Sequence, residues 1–153
     1  MLFRSVLEVR PDVDPPDMRS SVEQAVLAIR EQLHPSDDDG WLLVPADHPV
    51  LDASVIQDVI DVWRQHPNQV VIPTHAGERG HPTVLPWSLA ALVSQIPPDR
   101  GLNWLIRSQL DLVLEWPTAN KAVLLDLDTP EDLDRLRASL APRPRVEIGR
   151  AHV

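Results

Sequence analysis

The sequence predicts an α/β fold in which helices cover a layered, mostly parallel sheet with right-handed crossovers. Short apolar runs alternate with amphipathic helical patterns along most of the chain. The run Trp41–Val44 is continuously apolar, as expected for a strand covered on both faces. Between such runs, apolar residues recur at the spacing that places them on one face of a helix.

The first half of the chain reads as strand, helix, strand, helix. Val6–Val9 is a short β-like run, and the prolines that follow it impose a loop. Helical spacing of apolar residues predicts a helix over Met18–Leu33. After the strand Trp41–Val44, Asp52 is placed to cap a second helix. The apolar residues of that helix are Val55, Ile56, Val59, Ile60 and Trp63.

The next segments predict a strand, a polar loop and a helix. Residues 69–73, QVVIP, are typical of a strand, and residues 74–83 are polar and contain glycine, as loops do. Pro86 stands where a helix is expected to begin. The apolar residues that continue this helix are Leu89, Leu92, Val93 and Ile96.

The last third predicts a short helix, two strands and a closing helix. The short helix covers residues 102–109, and the strands cover 111–116 and 122–128. Residues 129–140 form the closing helix, with Thr129 as its N-cap and a proline at its first position.

Composition limits the possible functions. The 153 residues suit one domain, and 43% are hydrophobic, which is enough for a core. The net charge of −9 disfavours nonspecific binding to nucleic acid or to an anionic membrane. The chain has no cysteine, so disulfides, thiolate zinc sites and cysteine nucleophiles are excluded. Without an evident signal peptide or an apolar run of about 18 residues, we expect a cytoplasmic protein.

The two ends of the chain look foreign to the domain. Residues 1–5, MLFRS, and 147–153, EIGRAHV, match in-frame translations of common sequencing adapters. We therefore expect a partial domain over residues 6–140, with non-native ends and a missing upstream segment. A genuine tail is the alternative.

Acidic residues follow two predicted strands and indicate a metal site. Asp47 comes after Trp41–Val44, and Asp128 comes at the end of the last predicted strand, after its apolar part Val123–Leu125. Ligands of open α/β sheets bind beyond the carboxyl ends of the strands. One or two carboxylates with phosphate and water oxygens are sufficient for Mg²⁺. Asp128 is favoured over Asp126 as the second ligand because it lies nearer the loop, whereas Asp126 can orient that loop.

Structural roles explain the same residues without a metal. Asp47 can form an Asx-turn, and the string that contains Asp128 is a good helix start. His81 can be a ligand, a base or a hydrogen-bonding loop residue. These alternatives remain open at the level of residue spacing.

The ordered set of motifs resembles the MobA-like nucleotidyltransferases, and within them the molybdenum cofactor cytidylyltransferases. The motifs are LLVPADHP (42–49), RGHPTVL (79–85) and LLDLDTPEDLDRL (124–136). The segment DMRSSVEQAVLAI (17–29) also resembles the family, and the likeness extends over residues 6–140. It implies a Rossmann-like, three-layer nucleotide-diphospho-sugar transferase fold that lacks its first βα unit or units.

The resemblance also implies a reaction and its residues. A nucleoside monophosphate would pass from an NTP, usually CTP, to the phosphate of molybdopterin, with release of pyrophosphate and with Mg²⁺ as cofactor. Asp47 would be a metal ligand on the nucleotide side, and Asp128 the second metal ligand. Gly80, His81 and Pro82 would line the acceptor side. A molybdoenzyme would be a possible partner.

The chain departs from the family pattern at three places. The family's Gly-rich, basic triphosphate loop has no counterpart, since Gly40 is the first glycine. His48 stands where the family often has glutamine, and Asp17 where glycine is common. Positioning and charge stabilisation supply nearly all of the catalysis in phosphoryl-type transfer. We therefore expect the 153-residue chain to be inactive alone.

Two other functions fit the same motifs. The first is a transferase of this fold that acts on another phosphorylated acceptor. The second is a non-catalytic module that binds the cofactor and delivers it to a partner enzyme. A panel of nucleotides with pyrophosphate detection separates these possibilities.

Overall fold

A computed structural model of the chain describes residues 8–49 and 52–140. The hypotheses about residues 1–5 and 147–153 therefore lie outside the described residues. The first predicted strand, Val6–Val9, lies partly outside them too. Its described part, Glu8 and Val9, has no regular structure.

The described residues alternate between helices and strands, as expected for an α/β protein. The helices are α1 (Met18–Leu33), α2 (Ala53–Gln65), α3 (Leu102–Ser108) and α4 (Pro130–Leu140). The strands are β1 (Gly40–Leu43), β2 (Val70–His75), β3 (Glu78–Arg79), β4 (Thr83–Pro86) and β5 (Val113–Pro117). Segments of 3₁₀-helix cover Trp87–Gln95, Leu110–Leu112 and Lys121–Leu124. None of the described helices is long and apolar enough to cross a membrane.

Side-chain caps explain where three of the helices begin. The Asp17 carboxylate accepts a backbone N–H at 2.7 Å in the first turn of α1. Asp52 does the same for α2 at 2.9 Å, so its predicted capping role is confirmed. At α4, the Thr129 N–H donates to Asp132 at 2.8 Å, and the Asp132 N–H donates to the Thr129 hydroxyl at 3.2 Å. This reciprocal pair satisfies N–H groups that the helix itself leaves without partners.

The sheet is mixed, so the expectation of a mostly parallel sheet is met only in part. β4 pairs antiparallel with both β1 and β2, while β5 pairs parallel with β2. The strands β1, β2 and β5 consequently run in one direction, and β4 runs against them. The expected polar loop over 74–83 is instead largely a hairpin, in which β2 extends to His75 and pairs with β3.

Two further predictions were wrong in detail. Pro86 ends β4 and does not start an α-helix, and the residues after it form a 3₁₀ segment. The predicted strand 122–128 is a 3₁₀ turn followed by extended chain. Asn120 explains that turn, because its side-chain oxygen accepts the Ala122 N–H at 3.0 Å. An apolar run does not by itself distinguish a buried strand from a buried turn.

Helices cover both faces of the sheet and form a three-layer structure. On one face, α1, α3 and the 3₁₀ segment Trp87–Gln95 pack against β1, β2 and β4. On the other face, α2 packs with Val71, Val84 and Val123. Alternate residues of β2 therefore enter different cores, as the two-residue period of a strand requires.

An open groove lies between α1 and β1. No described strand pairs with the edge of β1 that faces away from β4. The groove has a volume of about 620 Å³, and it is lined by apolar side chains that include Val22, Ile29 and Trp41. Leu33 at its rim is 61% exposed.

Candidate functional site

Backbone hydrogen bonds join the loop after β1, and the segment between β3 and β4, to the chain that follows β5. The Leu127 N–H donates to the Asp47 carbonyl at 2.9 Å. The His81 N–H donates to the Val123 carbonyl at 2.8 Å. Since β1, β2 and β5 run in the same direction, their carboxyl ends define the edge where an α/β sheet is expected to bind ligands.

The structure brings the segments of Asp47 and Asp128 into contact. The hydrogen bond from Leu127 joins the backbone of Asp47 to the residue that precedes Asp128. Both acids are exposed, and neither carboxylate forms a hydrogen bond or ion pair with another described residue. Their oxygen atoms are therefore available to a hard cation such as Mg²⁺.

The carboxylates of Asp47 and Asp128 could supply only part of the ligands of a metal ion, so the ion would also have to bind substrate oxygens. Among residues 8–49 and 52–140, no group of three or more His, Asp or Glu side chains is placed to hold a metal ion. Two carboxylates leave most of an octahedral Mg²⁺ shell to water and phosphate oxygens, which is the usual arrangement at nucleotide sites.

Asp126 is engaged with His48. The His48 ring is 4% exposed, and its Nδ1 lies 3.3 Å from Oδ1 of Asp126. This contact links the β1 loop to the segment before α4 by side chains as well as by backbone. It gives Asp126 a positioning role in the loop, while the neighbouring Asp128 keeps an unpaired carboxylate in the described part of the chain.

His81 packs beside His48. The two ring centroids are 5.9 Å apart, with an angle of 68° between the planes. Burial lowers the pKa of His81, and the neighbouring His48 lowers it further, while Asp126 and Asp47 act in the opposite direction. A lowered pKa keeps the His81 ring uncharged at neutral pH. Its Nδ1 atom is buried and has no partner among the described residues.

Gly80 permits a close backbone approach beside His81. Its N–H donates to the Pro73 carbonyl at 2.8 Å. A Cβ atom at position 80 would lie 2.2 Å from the Val123 carbonyl oxygen, so only glycine fits without displacement of the backbone. Pro82 follows His81 through a cis peptide bond and is buried. The predicted acceptor-side residues thus form one packed corner of the structure.

Sequence reasoning missed a second group of polar residues near this corner. Arg79, Asn103 and Arg107 line a cavity of about 270 Å³ together with Gly80 and His81. Asn103 and Arg107 are four residues apart, which places them on one face of α3. That spacing was a signal in the sequence, but only the fold brings α3 against the hairpin that carries Arg79.

Asp52 also has a second partner that the sequence did not predict. Asn120 donates a hydrogen bond to it at 2.8 Å, across 68 residues of sequence. Hydrogen bonds from Ser54 and from Asn120 lower the pKa of Asp52. The cap of α2 therefore also fixes the loop that follows β5.

The layered sheet and its strand-end site define an α/β protein with a nucleotidyltransferase-like fold. Rv0371c from Mycobacterium tuberculosis H37Rv shares the fold at a TM-score of 0.67 and 24% identity, over 84% of this chain and 63% of that one. Residues 5–113 match the family model of the MobA-like NTP transferase domain. The chain belongs to this family.

Two further solved structures are similar. A homologue of Rv0371c from Mycobacterium sp. strain JC1 has a TM-score of 0.64 and 24% identity, over 84% of this chain and 60% of that one. Rv0371c in complex with manganese has a TM-score of 0.61 and 25% identity, over 76% and 58%. The chain spans less than two thirds of the length of these proteins. The comparison with curated proteins gave no match.

Proposed function

We propose that the whole protein is a nucleotidyltransferase. It transfers a nucleoside monophosphate from an NTP, with CTP as the nucleotide, to the phosphate of molybdopterin. The match of residues 5–113 to the MobA-like NTP transferase domain supports the transferase class, while CTP and molybdopterin are proposed from the resemblance of the motifs. The cytoplasm is the proposed location, and a molybdoenzyme that receives the cofactor is the proposed partner.

The proposed reaction exchanges one phosphorus–oxygen bond for another. An oxygen of the acceptor phosphate attacks the α-phosphorus of the NTP and forms a new phosphoanhydride bond. The bond between the α-phosphorus and the bridging oxygen breaks, and pyrophosphate leaves with that electron pair. Little covalent chemistry is left to the protein, so its task is to position the two substrates and to stabilise charge.

Asp47 and Asp128 are the proposed ligands of a divalent cation on the nucleotide side. The contact between their segments and the absence of partners for both carboxylates within the described residues support this role. The related Rv0371c structure contains manganese. A bound Mg²⁺ would offset negative charge on the phosphate oxygens.

Gly80, His81 and Pro82 are proposed to line the acceptor side. Gly80 lets the hairpin approach Val123 closely, which fixes the backbone beside the strand-end acids. His81 stays uncharged at neutral pH, so its ring can both donate and accept a hydrogen bond. The buried Pro82 has no N–H and fills the space next to the ring without needing a hydrogen-bond partner.

Pyrophosphate release tests the reaction. CTP, GTP and ATP are supplied in turn, with molybdopterin and Mg²⁺, to the 153-residue chain and to a version extended by the natural gene sequence upstream of Val6. We expect release from the longer version, fastest with CTP, and none from the shorter one. Binding of the cofactor without release from any nucleotide would instead favour a delivery module.

Metal binding tests the two acids independently of turnover. We expect Asp47→Asn and Asp128→Asn each to weaken Mn²⁺ binding by about tenfold or more, because each removes one charged oxygen ligand. Electron paramagnetic resonance of free Mn²⁺ measures the affinity.

Asp58→Asn is the matched control for these variants. It removes an exposed acid from the middle of α2, away from the strand-end loops, and changes the net charge equally. If all three variants bind Mn²⁺ with the same affinity, the change in net charge explains the loss, and ligation by Asp47 or Asp128 does not. An affinity unchanged by Asp47→Asn would remove Asp47 from the proposed metal site.

A further inference from the structure

A small polar cavity lies on the α3 side of the sheet, away from α2. It has a volume of about 270 Å³ and lies between α3 and the segment that runs from β2 to β4. Three of its described lining side chains carry N–H donors that point to recognition of an anion: Arg79, Asn103 and Arg107. Ile72 and Ile106 supply an apolar wall, and none of the described lining residues is acidic.

The charge of this cavity contrasts with that of the chain. The protein carries a net charge of −9, yet two exposed arginines, Arg79 and Arg107, line this one small cavity. The Arg107 side chain has no ion pair or hydrogen bond with any described residue. Arg79 donates to Glu115 through its Nε at 2.8 Å, and its other guanidinium nitrogens have no partner in the described part of the chain. Both arginines therefore have free donors.

The positions of these donors are set by regular structure. Arg79 ends β3 and precedes the tightly packed Gly80. Asn103 and Arg107 lie one helical turn apart on α3, whose opposite side is held in the core by Leu105. Side chains on helices and strands are better fixed than side chains on free loops, and this favours a specific site.

The size of the cavity limits what it can hold. Pockets for whole small ligands occupy about 300–1,000 Å³. A cavity just below that range suits one chemical group and a few attached carbon atoms better than a nucleoside triphosphate. Planar guanidinium groups match phosphate oxygens in geometry and charge.

We propose that this cavity binds the phosphate monoester of the acceptor substrate between Arg79 and Arg107. Asn103 donates to a third oxygen, and Ile72 and Ile106 contact the adjoining carbon atoms. The assignment of this phosphate to the acceptor substrate rests on the proposed transferase function. His81 supports the assignment, because it lines the cavity and also packs against His48, the residue after Asp47. The cavity thus adjoins the predicted metal side.

Calorimetric titration with phenyl phosphate tests the cavity without any nucleotide or metal. We expect measurable binding to the 153-residue chain at pH 8, where the phosphate is a dianion. Arg107→Gln and Arg79→Gln should each weaken it by about tenfold or more, because each removes a charge-assisted contact. Arg64→Gln, on α2, changes the net charge equally and should change the affinity by less than about twofold.

Three results would overturn the proposal. The first is no heat of binding with the unaltered chain. The second is an equal loss of affinity in Arg64→Gln and Arg107→Gln. The third is binding of uncharged phenol with the same affinity as phenyl phosphate, which would mean that the cavity recognises the phenyl ring and not the phosphate.

Turnover separates this proposal from the transferase function. If Arg107→Gln weakens phenyl phosphate binding but the longer protein releases no pyrophosphate, the phosphate site stands and the transferase proposal fails. If the longer protein turns over and Arg107→Gln leaves the KM for the acceptor unchanged, the transferase stands and the phosphate site fails. An increase in that KM, with little change in kcat, supports both.

Discussion

His81 is the residue that connects the two sides of the candidate site. It lines the cavity with Arg79 and Arg107, and its ring packs against that of His48. Its backbone N–H donates to the Val123 carbonyl, which ties the backbone of His81 to the 3₁₀ turn after β5. Because it sits in this packed corner, its protonation affects the stability of the protein.

We predict that protonation of His81 destabilises the fold. Burial lowers its pKa below the ordinary value of 6.5. As the pH falls below that value, the unfolded chain takes up a proton that the folded protein resists, so the free energy of unfolding decreases. His81→Asn should show a smaller decrease between pH 7.5 and 5.5, measured by urea denaturation.

His66→Asn is the matched control for the pH experiment. It removes an exposed histidine at the end of α2 and should retain the pH dependence of the unaltered protein. An unchanged dependence in His81→Asn would show that other groups cause the loss of stability in acid.

At the scale of elements, the close approach of the hairpin to the 3₁₀ turn Lys121–Leu124 depends on Gly80. Gly80→Ala would place a methyl group against the Val123 carbonyl, and two backbone segments would have to separate. We expect a loss of about 3 kcal/mol in the free energy of unfolding, at the upper end of the usual cost of overpacking.

Gly101→Ala is the control for that loss, since among the described residues no atom beyond its chain neighbours lies within 4 Å of a Cβ at position 101. It replaces a helix N-cap glycine and should cost less than about 1 kcal/mol. Urea denaturation measures both variants. Equal losses would mean that the hairpin shifts easily and that the site has no rigid corner.

Helices were predictable from the sequence because their signals are local. The bounds of α1 and the capping of α2 by Asp52 follow from apolar spacing and from one polar side chain. The strand β4 was missed because it is short and is stabilised by β1, whose paired residues lie about 40 positions earlier. Its antiparallel direction depends on that long-range pairing, which no local pattern encodes.

The candidate site was predictable where it follows strand ends. Asp47 and the segment of Asp128 do meet, because β1 and the chain after β5 end at the same edge of the sheet. The cavity with Arg107 was not predicted, since α3 approaches β2 through a buried cluster that contains Ile72 and Ile106 and that local patterns do not encode. An arginine on a predicted helix gives no sign of what it faces.

At the scale of the whole molecule, the negative charge sets the range of partners. We predict that the chain forms no complex with a duplex DNA of 30 base pairs in about 0.15 M salt, at protein concentrations up to about 10 μM. The net charge of −9 opposes such binding, and of the described residues only Arg79 and Arg107 line the polar cavity beside α3 as cationic residues. A salt-dependent shift in gel mobility would contradict this.

The apolar groove beside β1 has a practical consequence. No strand of the described residues covers the outer edge of β1, which lies next to exposed leucine side chains, and such an edge is a template for pairing with other polypeptides. Concentrated samples of this chain should therefore self-associate through the outer edge of β1. Preparations for calorimetry or crystallisation will behave best when kept dilute, or when a peptide of β-forming sequence is added to occupy it.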